Sequence, residues 1–134
     1  MRNDNKITMA KILVAEDDKF LSEAYRTKLV GVGFEVRLVV DGEEALKEFE
    51  SFAPDIVILD LKMPKVDGFF FLETLKNAGK IGTVPVIVAS NSGDKPDIER
   101  AMALGATDYV VKSNLSMKGL VEKINLLLHS KPPA

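Results

Sequence analysis

The stretch DIVILDLKMPKVDG, residues 55–68, decides the fold and directs attention to one residue, Asp60. Residues 55–59 form a short apolar run rich in β-branched side chains, and the Pro and Gly that follow are turn residues. This pattern predicts a buried β-strand that ends at Asp60. In a chain that alternates strands and helices, a carboxylate at the carboxyl end of a strand lies where such folds place their chemistry.

The same alternation of short apolar runs and helical segments extends over the whole chain. Strands are predicted at 11–15, 34–39, 55–59, 84–89 and 108–111, and helices at 18–30, 42–51, 66–78, 94–104 and 116–129. Strict alternation of this kind implies an α/β fold, in which a parallel sheet with right-handed crossovers carries helices on both faces. The strand at 34–39 alternates apolar and charged side chains, so we expect it at an edge of the sheet.

Local signals support the helix bounds. Gly31 and Gly33 are expected to end the first helix. Asp41, three residues before Glu44, resembles a capping box that opens the second helix. Asp18 is interpreted as a cap or first-turn acid of the first helix, where negative charge favours the helix dipole.

Composition excludes several classes of function. The chain has 134 residues, which favours one domain. Its net charge of -2 gives no reason to expect nucleic-acid binding. The absence of cysteine excludes disulfides and thiolate metal sites, and a single histidine, His129, excludes multi-histidine sites. Because no apolar run approaches the length of a membrane span and the N-terminus has no signal-peptide core, we expect a cytoplasmic protein without membrane contact. Residues 1–10 and 130–134 are predicted to be flexible ends.

Polar residues follow several of the predicted strands directly. Glu16 and Asp17 follow the first strand, Asp60 the third, Ser90 the fourth and Lys112 the fifth. The carboxyl ends of parallel strands meet at one edge of a sheet, so these side chains are expected to converge. Acids and a lysine gathered in this way are suited to handling a phosphoryl group around a metal ion.

These positions resemble the receiver domain of two-component response regulators. The resemblance also includes Met63-Pro64 and Asp67-Gly68 behind Asp60, and Gly105-Ala106 before the fifth strand. It covers the chain from Ile12 to about Leu128, so that residues 11–129 are interpreted as one receiver domain of the single-domain, chemotaxis-regulator-like kind. The fold that it implies is a doubly wound (βα)5, flavodoxin-like sheet with strand order 2-1-3-4-5.

The resemblance implies roles for the acidic residues. Asp60 is then the phosphoacceptor, which forms a reactive acyl phosphate. A magnesium (or manganese) ion is held by Asp17, Asp60 and the backbone carbonyl of Lys62, and Glu16 holds one of its waters.

By the same resemblance, Lys112 and Ser90 bind the phosphoryl group. Ser90 and Tyr109 form a switch, in which Ser90 moves to the phosphate and the Tyr109 ring turns inward from solvent. The surface of the fourth helix, fifth strand and fifth helix would change as a result.

One position departs from the family pattern. Ser113 follows Lys112 where the family usually has a proline after a cis peptide bond, so the loop either carries a trans bond and rearranges or retains strain. Lys62, Asn91 and Ser92 are expected at the mouth of the site, where they would influence the lifetime of the phosphoryl group.

The implied partners are a sensor histidine kinase or phosphotransfer protein and a downstream protein, with no nucleic acid. We expect no enzymatic activity beyond the domain's own phosphorylation and dephosphorylation. The predicted output face carries mixed charge, which permits homodimerisation on activation; it comprises Lys95, Glu99, Arg100, Asp108, Lys118 and Glu122.

Other interpretations stay open at this point. Taken alone, an acidic run is more often a solvated helix start and Ser90 is more often a turn residue. Lys112 alone could equally well be a strand-end residue that aids solubility. As whole functions, the alternatives are a phosphorylation-independent pseudo-receiver of the same fold, a small-molecule phosphatase with an aspartyl phosphate, and a flavin carrier. The chain has no evident lid for a phosphatase and no Ser/Thr/Gly-rich phosphate cradle for a flavin.

Overall fold

Strands and helices alternate strictly along residues 10–129, which are the residues that the computed structural model describes. The strands are β1 (Lys11–Ala15), β2 (Glu35–Val39), β3 (Ile56–Leu59), β4 (Val86–Ser90) and β5 (Asp108–Val111). The helices are α1 (Lys19–Val32), α2 (Gly42–Phe52), α3 (Gly68–Asn77), α4 (Lys95–Ala103) and α5 (Met117–His129). None of the described helices is long and apolar enough to cross a membrane.

The predicted flexible ends fall almost wholly outside the described residues. Residues 1–9 and 130–134 are not described, so the prediction of flexibility is untested there. Ala10 is described, and its carbonyl accepts a hydrogen bond from the Glu35 N–H at 3.0 Å. Ala10 therefore extends the pairing between β1 and β2 and is not part of a free end.

The strands form one parallel sheet in the order β2-β1-β3-β4-β5, as predicted. In register, Val14 of β1 lies between Leu38 of β2 and Ile58 of β3. The alternating strand β2 lies at an edge, also as predicted. The direction of the chain crossovers reverses between β1 and β3, which opens a crevice at the carboxyl ends of these two strands.

Apolar side chains pack on both faces of the sheet. On one face, α1 and α5 contribute Tyr25, Leu29, Leu120 and Ile124 to a cluster with Ile12, Val14, Ile56, Ile58 and Ile87. On the other, α2, α3 and α4 contribute Phe49, Phe52, Phe71, Leu72, Leu75 and Ala101 to a cluster with Leu13, Val57, Leu59, Val86 and Val88. Because successive residues of a strand point to opposite faces, β1, β3 and β4 are apolar on both sides, as expected of covered parallel strands.

The ends of α1 confirm one sequence prediction and correct another. Asp18 caps the helix, since its Oδ1 accepts a hydrogen bond from the Leu21 N–H at 2.9 Å. The helix does not end at Gly31 but continues to Val32, and Gly33, at a φ of 116°, closes it. Only the second glycine adopts the left-handed conformation that terminates helices.

The starts of α2 and α3 depend on aspartate caps. Asp41 Oδ1 accepts from the Glu44 N–H at 2.8 Å, as the predicted capping box requires. The Glu44 carboxylate reaches back one residue further than expected, to the Val40 N–H at 3.1 Å. Helix α3 begins at Gly68 rather than at the predicted 66, because Asp67 is its cap and accepts from the Phe70 N–H at 2.9 Å.

Candidate functional site

The carboxyl ends of β1, β3 and β5 bring Glu16, Asp60 and Lys112 together. The backbone holds both acids in the sheet: the Asp60 N–H donates to the Ala15 carbonyl at 2.9 Å, and the Glu16 N–H donates to the Val39 carbonyl at 3.0 Å. Both side chains are almost completely buried, with 5% of Asp60 and 2% of Glu16 exposed. Two buried carboxylates this close need a cation to neutralise them.

Lys112 supplies that cation in the structure. Its Nζ lies 2.8 Å from Glu16 Oε1 and 3.4 Å from Asp60 Oδ2. Burial alone would lower the pKa of Lys112, but the hydrogen bond to Glu16 and the negative charges of Asp60 and Glu16 outweigh burial and raise the pKa. The ammonium is therefore charged at neutral pH and stands between the two acids.

The surroundings of Asp60 disfavour its ionised form. Burial, and after it the negative charge of Glu16, raise the pKa of this carboxyl from 3.8 to about 6. The charge of Lys112 and the Lys62 N–H, which lies 3.4 Å from Asp60 Oδ1, oppose this effect. An added cation at Asp60 would relieve the repulsion and favour the carboxylate.

Three acids offer oxygen atoms to such a cation. Carboxylate oxygens of Glu16, Asp17 and Asp60 all lie within 4.8 Å of one another, and Asp17 is exposed to solvent while the other two are buried. Oxygen-only donors beside an open solvent side suit magnesium, which binds few carboxylates and keeps several waters. The residues present therefore fit the predicted ion. The role of the Lys62 carbonyl as a further ligand stays a prediction.

An open cavity of about 330 Å³ gives access to these groups. Its lining comprises Glu16, Asp17, Asp18, Asp60, Lys62, Ser90, Asn91 and Lys112. All of the predicted phosphoacceptor, metal-binding and phosphoryl-binding residues thus surround one space, together with two of the three residues predicted at its mouth.

Ser92 is the third residue predicted at the mouth, and the structure does not place it there. Its hydroxyl donates to Asp97 Oδ2 at 2.7 Å, so the side chain is engaged by α4 instead of lining the cavity. Its N–H donates to Ser90 Oγ at 3.1 Å. Ser92 therefore acts as a connection between Ser90 and the start of α4.

Comparison with known proteins identifies the family. The sequence model of the family described as the response regulator receiver domain matches residues 12–125. The chain belongs to this family. The receiver domain and its flavodoxin-like fold are therefore shown, and with them a place in a two-component system.

Relatives and solved structures agree with this assignment. The chain is 39% identical over 123 residues to a probable transcriptional regulator, ycf27, of Cyanophora paradoxa, covering 92% of this chain and 50% of that protein. It is 33% identical to the phosphate regulon transcriptional regulatory protein PhoB of Rhizobium meliloti, covering 93% and 55%. The chain spans about half the length of the curated relatives it matches.

Among solved structures, the receiver domain of the Francisella response regulator 1452 superposes with a TM-score of 0.84 at 28% identity, covering 92% of this chain and 99% of that one. The chemotaxis protein CheY4 of Vibrio cholerae superposes with a TM-score of 0.79 at 26% identity, covering 87% and 97%.

Tyr109 of this receiver domain is tied to the loop after β4. Its hydroxyl donates to the Ser92 carbonyl at 2.7 Å, and the residue is half-buried. The predicted inward turn of the ring on phosphorylation stays a prediction. In this structure the hydroxyl joins the ring to the segment that follows Ser90.

The loop after β5 resolves the alternative left open at Ser113. The described residues contain no cis peptide bond, so the bond between Lys112 and Ser113 is trans. The receiver chain forms one 3₁₀ turn at Lys112–Asn114, in which the Leu115 N–H donates to the Lys112 carbonyl at 3.1 Å. The lysine still reaches both acids from this turn.

Two glycines near the receiver site are required because a side chain would clash with the backbone of a neighbouring segment. A Cβ at Gly68 would lie 2.4 Å from the Asp60 carbonyl oxygen, and one at Gly42 would lie 2.1 Å from the Val66 carbonyl oxygen. The Gly42 N–H donates to that same Val66 carbonyl at 2.8 Å. The Asp-Gly pair at 67–68 predicts a turn from the local sequence. The contact between Gly42 and Val66 joins two distant segments, so no local sequence pattern predicts it.

Sequence reasoning also missed Tyr25. It shares the helical spacing of Leu21 and Leu29, which predicts only an apolar stripe on α1. In the structure it is a fully buried phenol in the cluster below the site. Burial raises its pKa, and the charges of Glu16 and Asp60 add to this effect. The helical spacing predicts that the ring is buried. The effect of Glu16 and Asp60 on the phenol becomes evident only in the folded structure.

Proposed function

We propose that this receiver domain accepts a phosphoryl group on Asp60 from a histidine kinase or phosphotransfer protein, in a reaction that depends on magnesium. The observation that carries the proposal is the position of Asp60, which shares one solvent-accessible cavity with a partly buried ammonium and with two further carboxylates. Positioning and charge neutralisation supply most of the catalysis in phosphoryl transfer. This cavity offers both.

The transfer step is a displacement at phosphorus. A carboxylate oxygen of Asp60 forms a bond to the phosphorus atom of the donor phosphohistidine, and the phosphorus–nitrogen bond breaks. The electron pair of that bond stays on the imidazole nitrogen, which then takes up a proton from solvent. The product is an acyl phosphate, which water later hydrolyses to aspartate and inorganic phosphate.

Three acids and one lysine would bind the metal ion and neutralise the charge of the phosphoryl group. Asp17 and Asp60, with Glu16 behind them, would hold the magnesium ion, together with the Lys62 carbonyl. The bound ion supplies positive charge to the phosphoryl oxygens. Lys112, already charged beside Asp60, would supply a second positive charge to the phosphoryl oxygens.

Switching would begin at Ser90. Its Oγ accepts the Ser92 N–H, so a turn of Ser90 towards a phosphoryl oxygen would give up that bond. Ser92 in turn holds Tyr109 through its carbonyl and Asp97 through its hydroxyl. Movement of the Ser90 side chain would therefore be passed to β5 and to the first turn of α4.

The partners follow from this chemistry. A phosphohistidine protein donates, and a downstream protein reads the α4–β5–α5 surface, which would also permit a homodimer on activation. We propose no other enzymatic activity. The relatives are named transcriptional regulators, but the net charge of -2 gives this domain no electrostatic basis for binding nucleic acid itself.

Intact-mass spectrometry tests the proposal directly. The protein is incubated with a small phosphodonor such as acetyl phosphate, with and without magnesium, beside an Asp60→Asn variant. We expect one added phosphoryl group that requires magnesium and is absent in the variant. Failure of the wild-type protein to bind magnesium or a phosphate mimic would instead support a phosphorylation-independent interaction domain of the same fold.

A further inference from the structure

Tyr25 on α1 carries a polar group that the rest of the fold leaves without a partner. The residue is completely buried, and among the described residues its hydroxyl is the one buried side-chain polar atom that makes no hydrogen bond. An unpaired buried hydroxyl destabilises a protein relative to an apolar group of the same shape. A phenylalanine would fill the same space without this disadvantage, so the hydroxyl calls for a functional explanation.

Tyr25 lies in the layer directly below the site. It belongs to the apolar cluster that includes Val14, Ile58 and Val110. Each of these residues comes two positions before one of the three charged residues of the site, and side chains two apart on a strand line the same face. One turn earlier on α1, the buried Ser22 Oγ lies 3.5 Å from the Glu16 carbonyl oxygen, so this face of the helix borders the acidic pair.

The electrostatic surroundings of the phenol agree with this placement. Beyond the effect of burial, the negative charges of Glu16 and Asp60 raise the pKa of Tyr25. The hydroxyl therefore keeps its proton and faces a negative potential. It is therefore available as a hydrogen-bond donor.

The proposed phosphorylation changes the hydrogen-bond donors that are available to the Glu16 carboxylate. In the structure its carboxylate is held by Lys112 Nζ at 2.8 Å and by the Asp18 N–H at 3.1 Å. When the ammonium serves the phosphoryl oxygens, Glu16 loses its nearer donor while it remains buried. The magnesium ion would compensate this carboxylate only in part, because Glu16 is expected to contact it through a water and not directly. A buried carboxylate that loses a partner is strongly disfavoured unless another donor replaces it.

We propose that the Tyr25 hydroxyl is a reserve donor for Glu16, a positioning residue that holds this carboxylate when Lys112 turns to the phosphoryl group. The inference rests on the proposed function, because only phosphorylation or a phosphate mimic draws the ammonium away. It assigns a role to a helix α1 residue that lies outside the cavity itself. It also explains why the free protein tolerates an unpaired hydroxyl.

A Tyr25→Phe variant tests the inference by isothermal titration with Mg²⁺ alone and then with Mg²⁺ and beryllofluoride, a phosphoryl mimic. We expect the melting temperature of the metal-free variant to equal or exceed that of the wild type. Its affinity for the mimic should fall about tenfold, because the loss of one hydrogen bond to a charged group weakens binding by about that factor. Ser22→Ala is the matched control, because it removes the neighbouring buried hydroxyl, which contacts the Glu16 backbone, and it should retain mimic affinity within about twofold.

Nuclear magnetic resonance of the wild type gives a second readout, for which one folded variant is needed only to assign the signals. The chain has two tyrosines, so labelling with ¹³Cζ-tyrosine yields two resonances, and Tyr25→Phe or Tyr109→Phe assigns them. We expect the Tyr25 resonance to shift on addition of Mg²⁺ and beryllofluoride, as its hydroxyl becomes a donor.

The outcomes separate this inference from the proposed function. If the wild type binds neither Mg²⁺ nor the mimic, the proposed function fails and the inference fails with it. If the wild type binds the mimic, but Tyr25→Phe binds it equally well and the Tyr25 resonance does not move, the inference alone is overturned. A loss of stability in metal-free Tyr25→Phe would also overturn it, because the hydroxyl would then be bonded before any mimic is present.

Discussion

Lys112 lies closer to Glu16 than to Asp60, the proposed phosphoacceptor: its Nζ is 2.8 Å from Glu16 Oε1 and 3.4 Å from Asp60 Oδ2. In the metal-free protein the lysine therefore neutralises both acids and is not yet committed to phosphoryl binding. A cation that joins the acids would take over part of this task and make the ammonium available.

Lys112→Ala removes the neutralising charge and leaves the two buried acids facing each other. We expect the free energy of unfolding of the metal-free variant to fall by about 3 kcal/mol, as when one partner of a buried pair is lost. Magnesium should restore more stability to the variant than it adds to the wild type. Urea unfolding with and without magnesium measures both effects.

Lys62→Ala is the control for that experiment, because Lys62 is exposed and only its backbone N–H contacts Asp60. Its loss should change the stability by no more than about 0.5 kcal/mol. Equal losses in the two variants would contradict the assignment of the neutralising role to Lys112.

The stability of the metal-free protein should depend on the ionisation of Asp60. Its pKa is about 6 in the folded protein and 3.8 ordinarily, with burial as the main cause. The folded state thus retains a proton that the unfolded chain has lost, so this contribution is present at low pH and is lost as the pH rises through about 6. Unfolding in EDTA at several pH values should show this loss, and Asp60→Asn should abolish it. An unchanged slope in Asp60→Asn would refute the prediction.

Asp17→Asn should weaken magnesium binding at least tenfold with little effect on folding, because Asp17 is the exposed member of the acidic cluster. Asp18→Asn is the matched control. Asp18 caps α1, and asparagine caps a helix equally well, so this variant should keep its affinity within a few-fold. Calorimetric titration with Mg²⁺ distinguishes the two, and similar losses in both would mean that only the total negative charge matters.

Glycine-to-alanine changes should have opposite effects at two positions. At Gly42 a Cβ would lie 2.1 Å from the Val66 carbonyl oxygen, so Gly42→Ala should displace the loop behind Asp60 and cost about 1–3 kcal/mol. At Gly31, inside α1, a Cβ meets nothing within 4 Å, so Gly31→Ala should stabilise the protein by about 0.5–1 kcal/mol. Thermal unfolding measures both, and a stable Gly42→Ala protein would show that the loop is less constrained than its contacts indicate.

Ser92→Ala tests the connection between the site and α4. The variant loses the hydrogen bond that its hydroxyl donates to Asp97 and the one that it accepts from the Asp94 N–H, but keeps its backbone bonds to Ser90 and Tyr109. We expect faster amide hydrogen exchange over residues 94–99, with magnesium affinity unchanged, since Ser92 does not line the cavity. Unchanged exchange over residues 94–99 would show that the Ser92 side chain does not connect Ser90 with α4.

Most of the fold could be predicted from the sequence, because hydrophobic periodicity and turn residues act locally. The apolar run before Asp60 and the alternating run at 34–39 placed a central strand and an edge strand correctly. The convergence of Glu16, Asp60 and Lys112 was also predictable, since it needs only that parallel strands share a carboxyl end.

The remaining details depend on side-chain directions and on contacts between distant segments. Nothing local indicates that Ser92 turns to Asp97 or that Lys112 prefers Glu16. Helical spacing predicted that Tyr25 is buried, but it could not show that the hydroxyl lacks a partner. The exclusion of a side chain at Gly42 likewise arises from a loop more than twenty residues away.

The identity of the modified residue tests the central claim most directly. After incubation with magnesium and a phosphodonor, borohydride reduction converts an acyl phosphate to a stable alcohol, and peptide mass spectrometry then locates it. We predict that the modification lies on Asp60 alone and disappears when magnesium is withheld. Modification of another residue, such as Asp17, Ser90 or His129, with Asp60 unmodified would contradict the account.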